Sequence, residues 1–296
     1  MRVTSSMMLR STLRDLSQGL SRLQETQTRL SSGKQITRPS ADPGGTSSAM
    51  GMRQDLRRAD QHLRSLNDAQ GWLETADATL TSALTSLGRA KEITVRAGNT
   101  GALGDPVARQ ALAAEVRSIR SEMLAMANTS YGDRSVFNGT AAGAAYDANG
   151  VYLGNDSSII RDVAPSTSIA VNLTGPQVFG TAGGAVGDVF ETLDRLANAI
   201  AAGDSAAMAT EHANLDSART TVGAATVEIG TRSARLVEAK TRAEDAKLLK
   251  TTQLSEVEDV DIVEALITAK AQESSYQASL QVAAKILPPS LLDYLR

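Results

Sequence analysis

Apolar residues recur at Leu9, Leu13, Leu16, Leu20, Leu23 and Leu30, with Gln27 in the one missing slot, so the spacing runs 4, 3, 4, 3, 4, 3. The last helical run repeats this alternation through Ile262, Leu266, Ala269, Glu273, Tyr276, Leu280, Ala283 and Leu287. Each stripe is a heptad seam, and a seam is buried only against another helix. A lone helix of this length is marginal in water, so each stripe requires a partner: the other terminus or another chain. This favours assembly over catalysis.

The body between the seams reads as mostly helical. Ser32-Gly33 ends the first helix, and Pro39, Pro43, Gly44 and Gly45 make the following stretch a loop. A helix from about 46 to 97 would span about 75 Å. Gly98–Gly101 ends it, and Asp105-Pro106 opens a shorter helix striped by Leu112, Val116, Ile119, Met123 and Met126. Asp188 is a helix cap, Gly203-Asp204 a break, and the chain from Ser205 to about Thr252 predicts a second long helix with Val222, Ile229, Leu236 and Ala243 seven apart. Two matched long helices of opposite direction predict a rod whose ends return to the same place.

Between the helical halves the character changes. Asn138-Gly139, Asp147 and Asn149-Gly150 suit tight turns, and Val151–Leu153, Ile159–Arg161 and Ile169–Leu173 read as short strands. Few aromatic or long aliphatic residues occur there, which predicts a small, partly exposed insertion. The fold class expected is mainly α with a small β-rich insertion, an elongated helical rod with paired terminal helices. The expected domains are 1–38 with 258–296, 39–134 with 184–257, and 135–183.

Several function classes find no support. The net charge of -3, with charges dispersed, leaves no basic footprint for nucleic acid. The chain has no cysteine, and His62 and His212 stand apart from any metal-ligand spacing, so no metal, cofactor or small-molecule substrate is expected. No nucleophile, phosphate-loop or dinucleotide motif occurs, and no catalytic residue is assigned. No apolar run is long enough to insert in a membrane, and the first residues do not read as a cleavable signal peptide. Asp133-Arg134 reads equally as an ion pair or a solvated turn. Asn128, Asn138, Asn155 and Asn172 each begin an N-x-Ser/Thr pattern, a weak glycosylation signal in so Asn-, Ser- and Thr-rich a stretch.

The segment Arg29-Leu30-Ser31-Ser32-Gly33-Lys34-Gln35-Ile36-Thr37-Arg38-Pro39-Ser40-Ala41-Asp42-Pro43 resembles the flagellin superfamily signature, in the version carried by its hook-filament junction members. Asn128 to Thr140 resembles the family's exit from its first helical half, with Ser135 where an aromatic is usual. Glu258–Ala265, Tyr276–Leu287 and Ser290–Leu295 resemble its C-terminal helix and ending.

The resemblance implies an extracellular structural subunit, exported unfolded through the flagellar type III apparatus and assembled at the hook-filament junction. The implied partners are copies of itself in a ring, the first hook-filament junction protein, flagellin and an export chaperone. The interface residues expected are Leu9, Leu13, Leu16, Leu20, Leu23, Leu30, Ile262, Leu266, Tyr276, Leu280 and Leu287, joined by Leu291, Leu292 and Leu295 of the ending. The alternatives are flagellin itself and an intracellular coiled-coil adaptor.

Overall fold

The computed structural model describes residues 5–99, 104–164, 167–183 and 188–286. Seven helices of five residues or more lie among them: α1 (Ser5–Ser32), α2 (Pro43–Ala97), α3 (Pro106–Ala127), α4 (Gly175–Phe179), α5 (Val189–Ala202), α6 (Ser205–Glu258) and α7 (Ile262–Ile286). Two small antiparallel sheets pair β1 (Ser130–Tyr131) with β2 (Arg134–Ser135), and β3 (Ile160–Ala164) with β4 (Thr167–Ala170). The expected mainly α fold with a small β-rich insertion is observed. The chain divides into two compact units, 1–58 with 246–296, and 59–245. The expected boundaries at 38/39 and 257/258 fall inside the first unit, and segment 135–183 falls inside the second.

The second unit is built on two interleaved repeats. In α2, Leu66, Leu73, Leu80 and Leu87 recur every seven residues, and Ala69, Ala76, Ala83 and Ala90 fill the intervening slots; all eight are buried. α6 answers with Leu215, Val222, Ile229 and Leu236 at the same interval. Alternating large and small side chains lets helix axes approach closely while the leucines interlock. Lys91 pairs with Asp216 at 2.7 Å and Lys240 donates to Gln70 at 3.1 Å, so the two helices run antiparallel. α3 and α5 pack on each other, with Leu112, Val116, Ile119 and Met123 of α3 in the same core as Leu193, Leu196 and Ile200 of α5.

The local stop and start signals act as their chemistry requires. Asp105 caps α3, its carboxylate accepting from the Val107 N–H, with Pro106 behind it. Asp188 caps α5 by accepting from the Glu191 N–H at 2.7 Å, and Gly203 ends that helix in the left-handed region, φ 75°. α6 continues to Glu258, beyond the expected end near Thr252, because nothing between them removes a donor or breaks the helix.

The insertion has an aromatic centre that the composition of its neighbourhood did not suggest. All three phenylalanines of the chain, Phe137, Phe179 and Phe190, gather with Tyr146, at ring separations of 5.0–5.9 Å, largely edge to face. Tyr146 is displaced upward in pKa by its burial, with the Asp188 charge adding to it. Gly150 approaches this cluster at φ 90°, and a Cβ there would sit 2.9 Å from Phe190 Cβ.

The four asparagines of the N-x-Ser/Thr patterns serve as backbone surrogates. Asn128 accepts from the Tyr146 N–H and donates to the Tyr146 carbonyl. Buried Asn138 donates to the Ala141 and Gly143 carbonyls, and buried Asn172 accepts from Ile159 and donates to Ser157. Asn155 accepts from the Thr140 N–H. These bonds satisfy main-chain groups that strands this short cannot pair. Of the expected strands, Val151–Leu153 supplies one bridge, Tyr146 to Tyr152, and Ile169–Leu173 leaves the ladder after Ala170. Gly132-Asp133 is the two-residue turn of the β1–β2 hairpin, and Arg134 donates to the Thr140 carbonyl at 3.4 Å.

Candidate subunit interface

In the first unit α1 packs against α7. Two contacts set the register: Gly19 faces the ring of Tyr276, and the Thr26 hydroxyl donates to Gln272 Oε1 at 2.8 Å. Higher numbers on α1 meet lower numbers on α7, so the pair is antiparallel.

The seam divides. The half-buried face of α1 comprises Thr12, Leu16, Gly19, Leu23, Thr26, Arg29 and Leu30, and that of α7 comprises Ala269, Gln272, Glu273, Tyr276, Ser279 and Ala283 with buried Ala265. Leu16, Leu23, Leu30 and Tyr276 of the expected interface therefore line the contact between the two helices. Leu13 and Leu20 lie on the flank beside it, 58% and 39% exposed, and so do Ile262, Leu266 and Leu280, at 64%, 50% and 44%. On the closed side, leucines of α1 meet mainly small residues and Tyr276 of α7, and the outward flanks carry further large apolar residues. Val263 and Ile267 extend the outward surface of α7. The side chain of Leu9 and residues Leu287, Leu291, Leu292 and Leu295 lie outside the described residues.

A main-chain clasp closes the signature loop onto the turn between α6 and α7. The Gln35 N–H donates to the Glu258 carbonyl at 2.7 Å, and the Val260 N–H to the Gly33 carbonyl at 3.0 Å. Gly33 reaches this pairing at φ 68°, a conformation that disfavours a side chain. Lys34 reaches Asp259 at 2.6 Å and Glu258 at 3.8 Å, and Arg53 also pairs with Glu258. The Glu258 side chain is 7% exposed, and Lys34 and Arg53 are the cations beside it. Hydrogen bonds from Lys34 and Ser255 hold the Asp259 carboxyl below its ordinary range. Asp261 then caps α7 by accepting from the Val263 and Glu264 N–H groups. Periodicity carried no sign of this clasp, although Gly33 and the acidic run 256–261 mark its two sides.

Among the described residues, no cluster of three potential metal ligands occurs and no helix is long and apolar enough to cross a membrane. His212 stands 4.0 Å from Asp216, one turn away on its own helix.

Comparison with known proteins gives this arrangement its relatives. Residues 3–142 match the model of the bacterial flagellin N-terminal helical region. The chain is 26% identical over 302 residues to flagellar hook-associated protein 3 of Escherichia coli strain K12, covering 94% of this chain and 95% of that protein. Flagellin of Bacillus subtilis strain 168 is 26% identical over 176 residues, covering 58% of this chain and 56% of the flagellin. The solved structure of a putative flagellar hook-associated protein from Vibrio parahaemolyticus superposes with a TM-score of 0.66 at 19% identity, covering 74% of this chain and all of that one. Over residues 3–142 the chain is similar to the bacterial flagellin N-terminal helical region, and it shares its fold with the solved hook-associated protein.

Proposed function

We propose that the chain is a structural subunit of the bacterial flagellum that forms the junction between the first hook-associated protein and the flagellin filament. The observation that carries this reading is the extent of similarity: 94% of the chain aligns with hook-associated protein 3, against 58% with flagellin. The half-open helix pair supports the assembly step. Large apolar residues exposed on both terminal helices acquire neighbours when copies meet, and each leucine buried contributes about 1.5–3 kcal/mol. Several such contacts offset the cost of ordering the termini.

On this reading the chain leaves the cell unfolded through the flagellar export apparatus, escorted by a chaperone, and works outside it in a ring of its own copies. Catalysis forms no part of it. Localisation of the labelled chain tests the proposal: signal confined to the hook-filament boundary supports it. Signal along the whole filament indicates flagellin, and retention in the cytoplasm indicates an intracellular adaptor. Electron microscopy of a strain lacking the chain gives an independent reading, with bare hooks and flagellin released into the medium as the expected outcome.

A further inference from the structure

We infer that α6 carries a built-in weak point within residues 220–231, at which the second unit gives way when the chain is unfolded for export; this rests on the export reading above. The run Thr220-Thr221-Val222-Gly223-Ala224-Ala225-Thr226-Val227-Glu228-Ile229-Gly230-Thr231 holds seven β-branched residues and two glycines, residue types that lower helix propensity. Its threonines weaken it further. Thr220, Thr221, Thr226 and Thr231 each donate to the carbonyl four residues earlier, at 2.8–3.1 Å, a bond that competes with the helix ladder. One flank of the run is also incompletely packed, because Thr220, Thr221, Ala224 and Glu228 line a 320 Å³ cleft with Leu173 and Gln177.

Packing does not account for the glycines. At Gly71 of α2 a Cβ would press on the Tyr131 hydroxyl at 2.5 Å, so that glycine is required by its neighbour. At Gly223 and Gly230 a Cβ would meet nothing within 4 Å, and the same holds at Gly88 of α2. The Lys91–Asp216 pair sets the level of the two antiparallel helices, which puts Gly88 within about 6 Å of Gly223 along the pair at 1.5 Å per residue. Both long helices are therefore weakened at one level, although alanine would fit at each position. The inward residues of the run, Val222, Ala225 and Ile229, are buried, so the folded state is closed there and only its margin is thin. A 54-residue helix of uniform strength opens from its ends, and a weak interior gives unfolding a second place to start. A chain that loses its helices to cross an export channel and regains them outside is served by such a segment.

Gly88→Ala, Gly223→Ala and Gly230→Ala, combined in the full chain, test this against the parent. In the purified parent, the amides of 220–231 are expected to exchange faster than those of 66–80 in α2. The triple variant is expected to unfold at higher urea and to exchange the amides of 220–231 several-fold more slowly. In cells, its ratio of secreted to retained chain is expected to fall several-fold. Gly71→Ala serves as the control, with a lowered urea midpoint and no loss of secretion. An unchanged or lower urea midpoint in the triple variant, or equal exchange of the two segments in the parent, overturns the inference. So does a triple variant that is more stable and is still secreted like the parent. Normal secretion with lost incorporation into flagella assigns the glycines to a contact face and overturns it as well. A parent chain that stays in the cell sinks the export reading and this inference with it, whereas a variant that departs from expectation beside a secreted parent sinks the weak point alone.

Discussion

The two units bury their helices to different degrees. In the second, Leu66, Leu73, Leu80 and Leu87 are fully enclosed by partners from the same chain. In the first, a heptad is closed on one flank only, through Leu16, Leu23, Leu30, Ala265 and Tyr276, and Leu13, Leu20 and Leu266 remain exposed. The same kind of pattern thus produces a finished core in one place and a half-built one in the other. The difference lies in the number of partner helices within reach, not in the repeat.

The sharpest way to break this comparison is to truncate each region and ask what is lost. Phe190→Ala empties the centre of the aromatic cluster and is expected to destabilise the chain by about 3–5 kcal/mol in urea unfolding followed by circular dichroism. Gly150→Ala strains the φ 90° turn and presses on Phe190, with an expected loss of about 1–3 kcal/mol in the same measurement. Asp188→Ala removes the α5 cap at about 1 kcal/mol. Leu13→Asp and Leu20→Asp stand at the other extreme: a change within about 0.5 kcal/mol in the monomer, with failed incorporation into flagella. A large loss of monomer stability from either would show that the first unit is closed already and would dissolve the contrast.

Acid sharpens the comparison further. Burial raises the Asp188 pKa above its ordinary 3.8, so the folded state holds that proton more tightly than the unfolded one. Its contribution to stability is full below 3.8 and declines as pH rises through the folded value. Asp188→Asn keeps a capping oxygen without the charge, so its stability relative to the parent is expected to rise with pH across that window. Asp259 has the opposite sign. Its pKa is lowered, so the clasp's contribution is present above 3.8 and disappears as pH falls through the folded value. Lys34→Met is expected to flatten that acid limb, read as the pH dependence of amide exchange at Gln35 and Val260.

How much of this was legible from sequence varies with the range of the interaction. Asp105-Pro106, Asp188 and Gly203 announced helix ends because capping and φ restrictions act within a few residues, whereas Pro43, Gly44 and Gly45, expected in a loop, form the first turn of α2, where a proline needs no N–H. The leucine repeat of α2 and the Val222, Ile229, Leu236 repeat of α6 were readable for the same reason: period 3.5 is a local property. The insertion was harder. Phe190 sits beyond the stretch that it helps to close, and asparagines replace strand pairing, so neither the aromatic centre nor the true strand ends follow from alternation.

The sequence by itself determined the helices, their antiparallel return, the signature loop and the presence of two terminal seams. Only the tertiary structure decided which half of each seam is occupied. A 4-3 repeat specifies a stripe about two residues wide, and both of its flanks satisfy the same periodicity. The side on which α7 lies against α1 is fixed by the Thr26–Gln272 hydrogen bond and by the clasp at Gly33, Gln35 and Glu258. Those contacts join residues more than two hundred positions apart, beyond the reach of any local pattern.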